Sequence, residues 1–265
     1  ILASAVIFTD LKKNSIPFSM YQGISFANFN LNEQKKITKE FRVTELFLNK
    51  LTEKYKKIFF SLHPSFSDLR PFQWLNYHEP QKKRFNINLK YSAVINLKKH
   101  LNFENYLESI RGVRRRVINR AKSDKFKIVD SNDTKVFLNL YKKTFERQNI
   151  NPYNLELVEN IINFAIKEKY GRLTICYDNN NKPNSSIFIL YNNKTAYYMF
   201  GAADPEFRKN DTSSILIGES VKKSYELGLN EFDMCGVNSP NRGDFKLSFN
   251  AELKPFYEVS YGKFN

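Results

Sequence analysis

Three extended runs follow one another at residues 172–177, 186–191 and 195–200, and this succession constrains the fold more than any other feature of the chain. The stretches between them, 178–183 and 192–194, are rich in Asn, Asp and Lys with one Pro, a composition that sets tight turns. The three runs therefore read as a meander. A helix follows at 213–227, with Ile217, Val221 and Tyr225 on one face and Gly228 as its stop. Strands are expected next at 231–235 and 256–261. The first half shows a similar order. Extended runs at 1–9 and through 21–23 flank a polar turn at 10–15. A helix at 38–57 carries Phe47, Leu48, Leu51 and Tyr55 at three- and four-residue spacing, and a strand at 58–63 is stopped by Pro64. An aromatic loop at 64–80, a strand at 91–97, a basic helix at 102–123 and a strand at 125–129 complete it. Two helices open the second half: Asp133 caps one, and Asn151-Pro152 marks the start of the other. The repeated order, without sequence identity between the halves, predicts an α/β (α+β) fold of two lobes in tandem. Each lobe would hold a mixed, mostly antiparallel sheet flanked by helices, the first over 1–129 and the second over 130–265.

The length, 265 residues, suits one large or two small domains at ~150 residues each. With 24 Phe and 15 Tyr the chain has ample material for a core, which excludes a wholly disordered protein. No run approaches the ~18 apolar residues of a membrane span, and the apolar opening at 1–8 lacks the basic flank of a signal peptide. Two cysteines, Cys176 and Cys235, fit a reducing, cytoplasmic compartment. The first residue is Ile rather than Met, so an N-terminal segment is expected to be missing and the first lobe to be incomplete.

Lys and Arg number 42 against 27 Asp and Glu, a net charge of +15 that draws anions: nucleic acid, anionic lipid or a phosphorylated small molecule. Much of the excess is Lys interspersed with Asn, a composition that an AT-rich genome also writes. A denser cluster comprises Arg111, Arg114, Arg115, Arg116, Arg120, Lys122 and Lys125. It reads either as a solvated helix face or as an anion-binding one. No zinc-finger, homeodomain or RNP signature accompanies it.

His63, His78 and His100 stand far apart, so no metal site is expected, and no Gly-x-Ser-x-Gly elbow, Walker loop or Rossmann fingerprint is present. Residues 197–249 hold the chemistry instead. A strand ending in Tyr198 leads through Arg208 and Lys209 to a helix opening at Thr212, Ser213 and Ser214, a candidate anion pocket. Asp233 interrupts an apolar strand, where Asp is depleted and needs a partner. A polar loop with Asn238, Asn241, Arg242 and Lys246 follows. Trp74 in the aromatic loop and Arg115 in the basic cluster, with Asn241 and Arg242, are the candidates for substrate binding.

The segments "YYxxGAxxxExR" from Tyr197, "LGLNEFDMCG" from Leu227 and "RGDFKLSFNAEL" from Arg242 together resemble the Fem-type (FemAB-like) branch of the GNAT acyltransferase superfamily. So do "RRRVINRAKSDKFKIV" from Arg114 and "FLNLYKKTFERQNI" from Phe137. The resemblance covers about residues 90–261 and implies two GNAT-like lobes. It differs in two places: residues 208–214 contain no glycine, and Asn250 stands where the family often has Gly. The resemblance implies an N-acyltransferase moving an acyl group, expected to be acetyl, from acyl-CoA to an amine without a metal. The acceptor would be a nucleotide- or lipid-linked sugar of cell-wall or surface-polysaccharide biosynthesis, and the protein would touch anionic membrane peripherally. Alternatives are an aminoacyl-tRNA-dependent transferase, with tRNA as partner, and a non-catalytic anion- or RNA-binding module. On the catalytic reading Asp233 takes a proton or orients the amine, and Lys246 stabilises the oxyanion or binds a phosphate. Tyr198 would protonate the leaving group, and Asn238 is a further polar candidate. Arg208, Lys209, Thr212, Ser213 and Ser214 would hold the donor.

Overall fold

The computed structural model describes residues 1–7, 18–121, 126–152 and 154–262, apart from the side chain of Asn241. The turn expected at 10–15, the end of the strand expected at 1–9, and Lys122 and Lys125 of the basic cluster lie outside the described residues. The chain forms a mixed α/β structure of two compact units, residues 1–92 with 254–265, and residues 93–253.

In the first unit β1 (Ala3–Ala5) and β2 (Ile24–Phe26) pair antiparallel, Ala3 opposite Phe26. Helix α1 (Glu33–Lys54) starts earlier than the expected 38, because the Asn32 side chain accepts the Lys35 N–H at 3.0 Å and caps it. Strand β3 (Ile58–Leu62) is buried along its whole length. The stretch expected as an aromatic loop contains a short helix, α2 (Arg70–Trp74), with Pro71 in its first turn and Phe72 wholly buried. The Phe72 ring meets Phe60, Phe66 and Phe85 edge-on, and this cluster anchors the unit's core with Leu48, Ile58 and Val259. Strand β4 (Phe85–Asn96) and strand β10 (Glu252–Tyr261) both cross the division between the units. Here the hydrogen-bonded order is β3-β10-β4, with Leu62 opposite Tyr257 in the antiparallel β3–β10 pair.

The second unit begins with the end of β4 and continues through α3 (Phe103–Ser109) and α4 (Gly112–Arg120). One continuous basic helix was the expectation. The chain breaks instead at Ile110, which is extended and turns its side chain into the core. Then come β5 (Phe126–Asp130), α5 (Thr134–Glu146) and α6 (Leu155–Lys167). Asp133 caps α5 as expected, but α6 is capped by Asn154, whose side chain accepts the Leu157 N–H, rather than by Asn151. The meander is β6 (Gly171–Asp178), β7 (Pro183–Tyr191) and β8 (Thr195–Ala203). After it run a tight turn at Pro205–Asn210, α7 (Thr212–Glu226), β9 (Glu231–Gly236) and α8 (Pro240–Leu247). Residues 240–247 of the expected polar loop are thus helical, with Pro240 in the first turn.

Strands β5 to β8 are antiparallel neighbours and β9 joins β8 in parallel, giving the order β9-β8-β7-β6-β5. Alternation along β7 serves two faces: Phe188 stacks on Phe200, which meets Phe137 of α5, while Ile187 and Ile189 join the core of α7. Leu97, Phe103, Tyr106, Leu107, Ile110 and Ile118 lie in that same core with Leu216, Phe232 and Phe249. Residues 93–121 and 126–129 therefore pack with the later elements of the chain, and the compact units differ from the expected 1–129 and 130–265 division. Both cysteines are free and buried. Among the described residues no helix is long and apolar enough to cross a membrane.

Candidate active site

Strands β8 and β9 stay paired only from Thr195 opposite Glu231 to Tyr197 opposite Asp233. On its other side β8 carries a bulge, since Phe200 faces Phe188 while Tyr198 faces Ile189. Met199 therefore has a partner in neither register, and a bulge of this kind re-aims nearby side chains. Thr144 of α5 pins the strand's end, donating to the Ala203 carbonyl at 3.0 Å and accepting its N–H at 2.9 Å.

Beyond the bulge lies a cavity of about 490 Å³, lined by Tyr198, residues 201–205, Arg208, Thr212 and Ser213, with Asn184, Arg114 and Arg147 among others. A Cβ at Gly201 would collide with the Tyr198 hydroxyl, so any larger residue there would displace that ring. Burial pushes the Tyr198 phenol up to about 12, with Arg242 opposing, so it stays protonated over the ordinary pH range.

At the start of α7 the chain turns through Asp211 at φ 50°, the left-handed conformation that a glycine would otherwise supply. The Asp211 side chain caps no helical N–H. It accepts the Ser214 hydroxyl at 2.8 Å and the Arg114 guanidinium at 2.6 Å. Arg114 also donates to Ser248 at 2.9 Å and lies 4.6 Å from the Phe245 ring centroid. Thr212 Oγ1 accepts the Ser185 hydroxyl at 2.8 Å. Asn250 likewise sits at φ 56°, which accounts for its place where the family often has Gly.

The end of β9 is built differently. The Asp233 carboxylate, on a residue 3% exposed, accepts the Cys235 N–H at 2.7 Å and braces Cys235 at φ 61°. Lys246 of α8 donates to the carbonyls of Met234, Cys235 and Gly236 at 2.5, 3.3 and 3.0 Å. Those three carbonyls match the three donors of an ammonium group. Desolvation lowers the Lys246 pKa from its ordinary value, aided by Arg242 and opposed by Cys235 and Asp233. Burial raises the Cys235 thiol well above its ordinary range, so it is no ready thiolate.

Of the expected site residues, the cavity brings together Tyr198, Arg208, Thr212 and Ser213. Ser214 turns to Asp211 and Arg114, and Lys209 is exposed. Asp233, Lys246, Asn238 and Arg242 do not line the cavity, and the Asn241 side chain lies outside the described residues. Arg115 is exposed and donates to the Glu108 carbonyl at 3.2 Å. Trp74 belongs to the first unit, against Phe41 and the Arg70 guanidinium. Sequence reasoning missed Asn184 and Arg147, and it took Arg114 only as one member of a dense basic cluster. Only the motif position of Arg114, at the head of "RRRVINR", signalled it.

Residues 105–247 match the family model described as "Acetyltransferase (GNAT) domain", more than half of the chain. The chain belongs to this family. As a GNAT-superfamily member it is an N-acyltransferase. Solved structures agree on the fold of this GNAT protein. FemX superposes with a TM-score of 0.65 at 14% identity, over 92% of this chain and 82% of that one. A conserved protein of unknown function from Bacteroides thetaiotaomicron VPI-5482 gives 0.56 at 14% identity, over 92% and 83%. A tandem GNAT protein from the clavulanic acid biosynthesis pathway gives 0.50 at 11% identity, over 92% and 74%. The fold is thus the Fem-type, tandem GNAT-like one. A search of curated proteins returns no match to this sequence.

Proposed function

We propose that this GNAT protein transfers an acyl group, acetyl in the simplest case, from a CoA-type thioester bound at the end of β8 to an amine. The observation that carries the reading is the cavity itself, set where the bulged strand meets the start of α7. Its donor set suits a phosphate-bearing arm. Asp204 and Asp211 are already matched by Lys143 and Arg114, which leaves Arg147 and Arg208 to answer added negative charge. The start of α7 adds the positive end of a helix dipole. Ala202, Phe207 and Phe245 supply apolar wall.

When bound, a thioester supplies the acyl carbon for the amine's attack and a sulfur leaving group. The N–H of Met199, the residue that neither register pairs, would donate to the acyl oxygen as negative charge develops there. The Tyr198 hydroxyl, kept protonated by burial, would give its proton to the departing sulfur and be refilled by the proton that the attacking nitrogen sheds as it becomes an amide. Asp233 and Lys246 keep the end of β9 in shape beside them. The acceptor we infer is an amino group on an anionic nucleotide- or lipid-linked sugar of wall or surface-polysaccharide assembly, drawn by the net charge of +15.

The test is thiol release from acyl-CoA in the presence of amino-sugar nucleotides, with wild type and Arg208→Ala compared. Arg208→Ala should raise the donor KM about tenfold and leave kcat within about twofold, as for loss of ground-state binding. An unchanged donor KM rejects that role for Arg208. Transfer from aminoacyl-tRNA with none from any thioester rejects the CoA reading.

A further inference from the structure

Asn184, the second residue of β7, is 1% exposed and forms part of the cavity wall together with Arg147, Arg208 and Thr212. Neither its Nδ2 nor its Oδ1 has a hydrogen-bond partner. The main chain around it is fixed: its carbonyl accepts the Asp204 N–H at 2.9 Å, and the adjacent Ser185 hydroxyl bonds Thr212. A buried amide with both ends unpaired weakens the folded state, whereas an apolar side chain of the same size would not. Asn184 therefore does nothing evident for folding, and it lies in the wall of the cavity that the proposed donor would fill.

The missing partners define a chemistry. Nδ2 needs an acceptor and Oδ1 needs a donor, close together. A phosphate offers acceptors only, and a thioester offers no donor. A single trans secondary amide points its N–H and C=O in opposite directions, but an arm carrying two secondary amides offers the C=O of one and the N–H of the next. Resting on the thioester reading above, we propose that Asn184 is a donor-selecting residue. Its Nδ2 and Oδ1 pair with the C=O of one amide and the N–H of the next on the arm that links the phosphates to the thioester, while Arg208 answers the phosphates. The Watson–Crick edge of adenine presents a similar donor–acceptor pair, so the test must separate the arm from the nucleotide.

Titration calorimetry with CoA and with 3′,5′-adenosine diphosphate, which lacks the arm, makes that separation for wild type, Asn184→Leu and Arg208→Ala. Asn184→Leu should weaken CoA about tenfold, the loss of roughly one net hydrogen bond, and leave the diphosphate within about twofold. Arg208→Ala should weaken both ligands. Ligand-free Asn184→Leu should unfold at or above the wild-type midpoint. Should the leucine variant fail to fold, Asn184→Ala carries the same binding comparison.

Unchanged CoA affinity in the Asn184 variants, with wild type binding CoA, overturns this proposal and leaves the thioester reading standing. Equal losses for both ligands assign Asn184 to the nucleotide and overturn it too. A lowered midpoint with unchanged binding makes the amide structural. A wild type that binds neither CoA nor the diphosphate overturns both this proposal and the thioester reading.

Discussion

The parallel strands β8 and β9 part after Tyr197 and Asp233, and their two ends have opposite hydrogen-bond accounts. At the end of β9, Asp233 bonds the Cys235 N–H and Lys246 bonds three carbonyls, so conspicuous polar side chains are spent on their own backbone. At the end of β8, Met199 lies outside both registers, Asn184 has neither partner, and Arg147 and Arg208 line an open cavity. A charged residue in an apolar strand thus marks a place where the chain needs help to hold its shape. Capacity left unpaired marks a place where something else can bind.

The largest test of this contrast is Lys246→Met. Removing the ammonium leaves three carbonyls at the end of β9 without their donor, and such a loss should cost about 3 kcal/mol of unfolding free energy. Urea unfolding measures it directly. Asp233→Asn should destabilise less, since an amide oxygen can still accept the Cys235 N–H. The contrast breaks should Lys246→Met unfold like wild type yet turn over about a hundredfold more slowly, because the ammonium would then act on substrate.

Much of this was legible in the sequence, for identifiable reasons. The meander, α7 and β9 follow from turn formers, periodicity and Gly228, signals that act over a few residues. That Thr212, Ser213 and Arg208 lie together at a helix start was legible because such a start leaves its N–H groups open whatever surrounds it. Whether a polar atom is satisfied, by contrast, depends on distant chain: Asp211 meets Arg114 across 97 positions in sequence. Asn184 reads as one more turn former beside the run at 178–183, and nothing local shows that its amide lacks a partner. The break at Ile110 was hidden for a similar reason, because burial against α7 outweighs the helical run around it.

Tyr198→Phe sharpens the β8 side with an intermediate effect. Loss of the hydroxyl should lower kcat about a hundredfold with little change in donor KM, the low end of the usual range for a lost proton donor. The pH dependence has a definite sign. Burial raises this phenol from about 10 in the unfolded chain to about 12, so its contribution to stability is complete below pH 10 and lost as pH rises through about 12. Activity that depends on the Tyr198 proton should likewise show no alkaline loss before pH 10. An alkaline limb near pH 8 or 9 that disappears in Tyr198→Phe would mean that the hydroxyl is far less shielded than its burial implies.

The smallest expected effect concerns the anion that the protein itself places at the start of α7. Asp211 holds a carboxylate beside the helix end that the proposed phosphates would use, and it occupies Arg114 at 2.6 Å. Asp211→Asn keeps the tolerance for a left-handed φ and an oxygen to accept the Ser214 hydroxyl, so the turn should persist. It removes one negative charge and releases the guanidinium. Charge at a helix start is worth about 0.3–1 kcal/mol, so 3′,5′-adenosine diphosphate should bind about two- to fivefold more tightly to the variant. The gain should shrink as salt rises, because the site is open to solvent and the interaction is screened. Weaker binding in Asp211→Asn would show that the carboxylate serves the ligand by holding Arg114 in position. The two strand ends would then differ less than their hydrogen bonds imply, both using a buttressed cation, and the distinction would rest on Asn184 and Met199 alone.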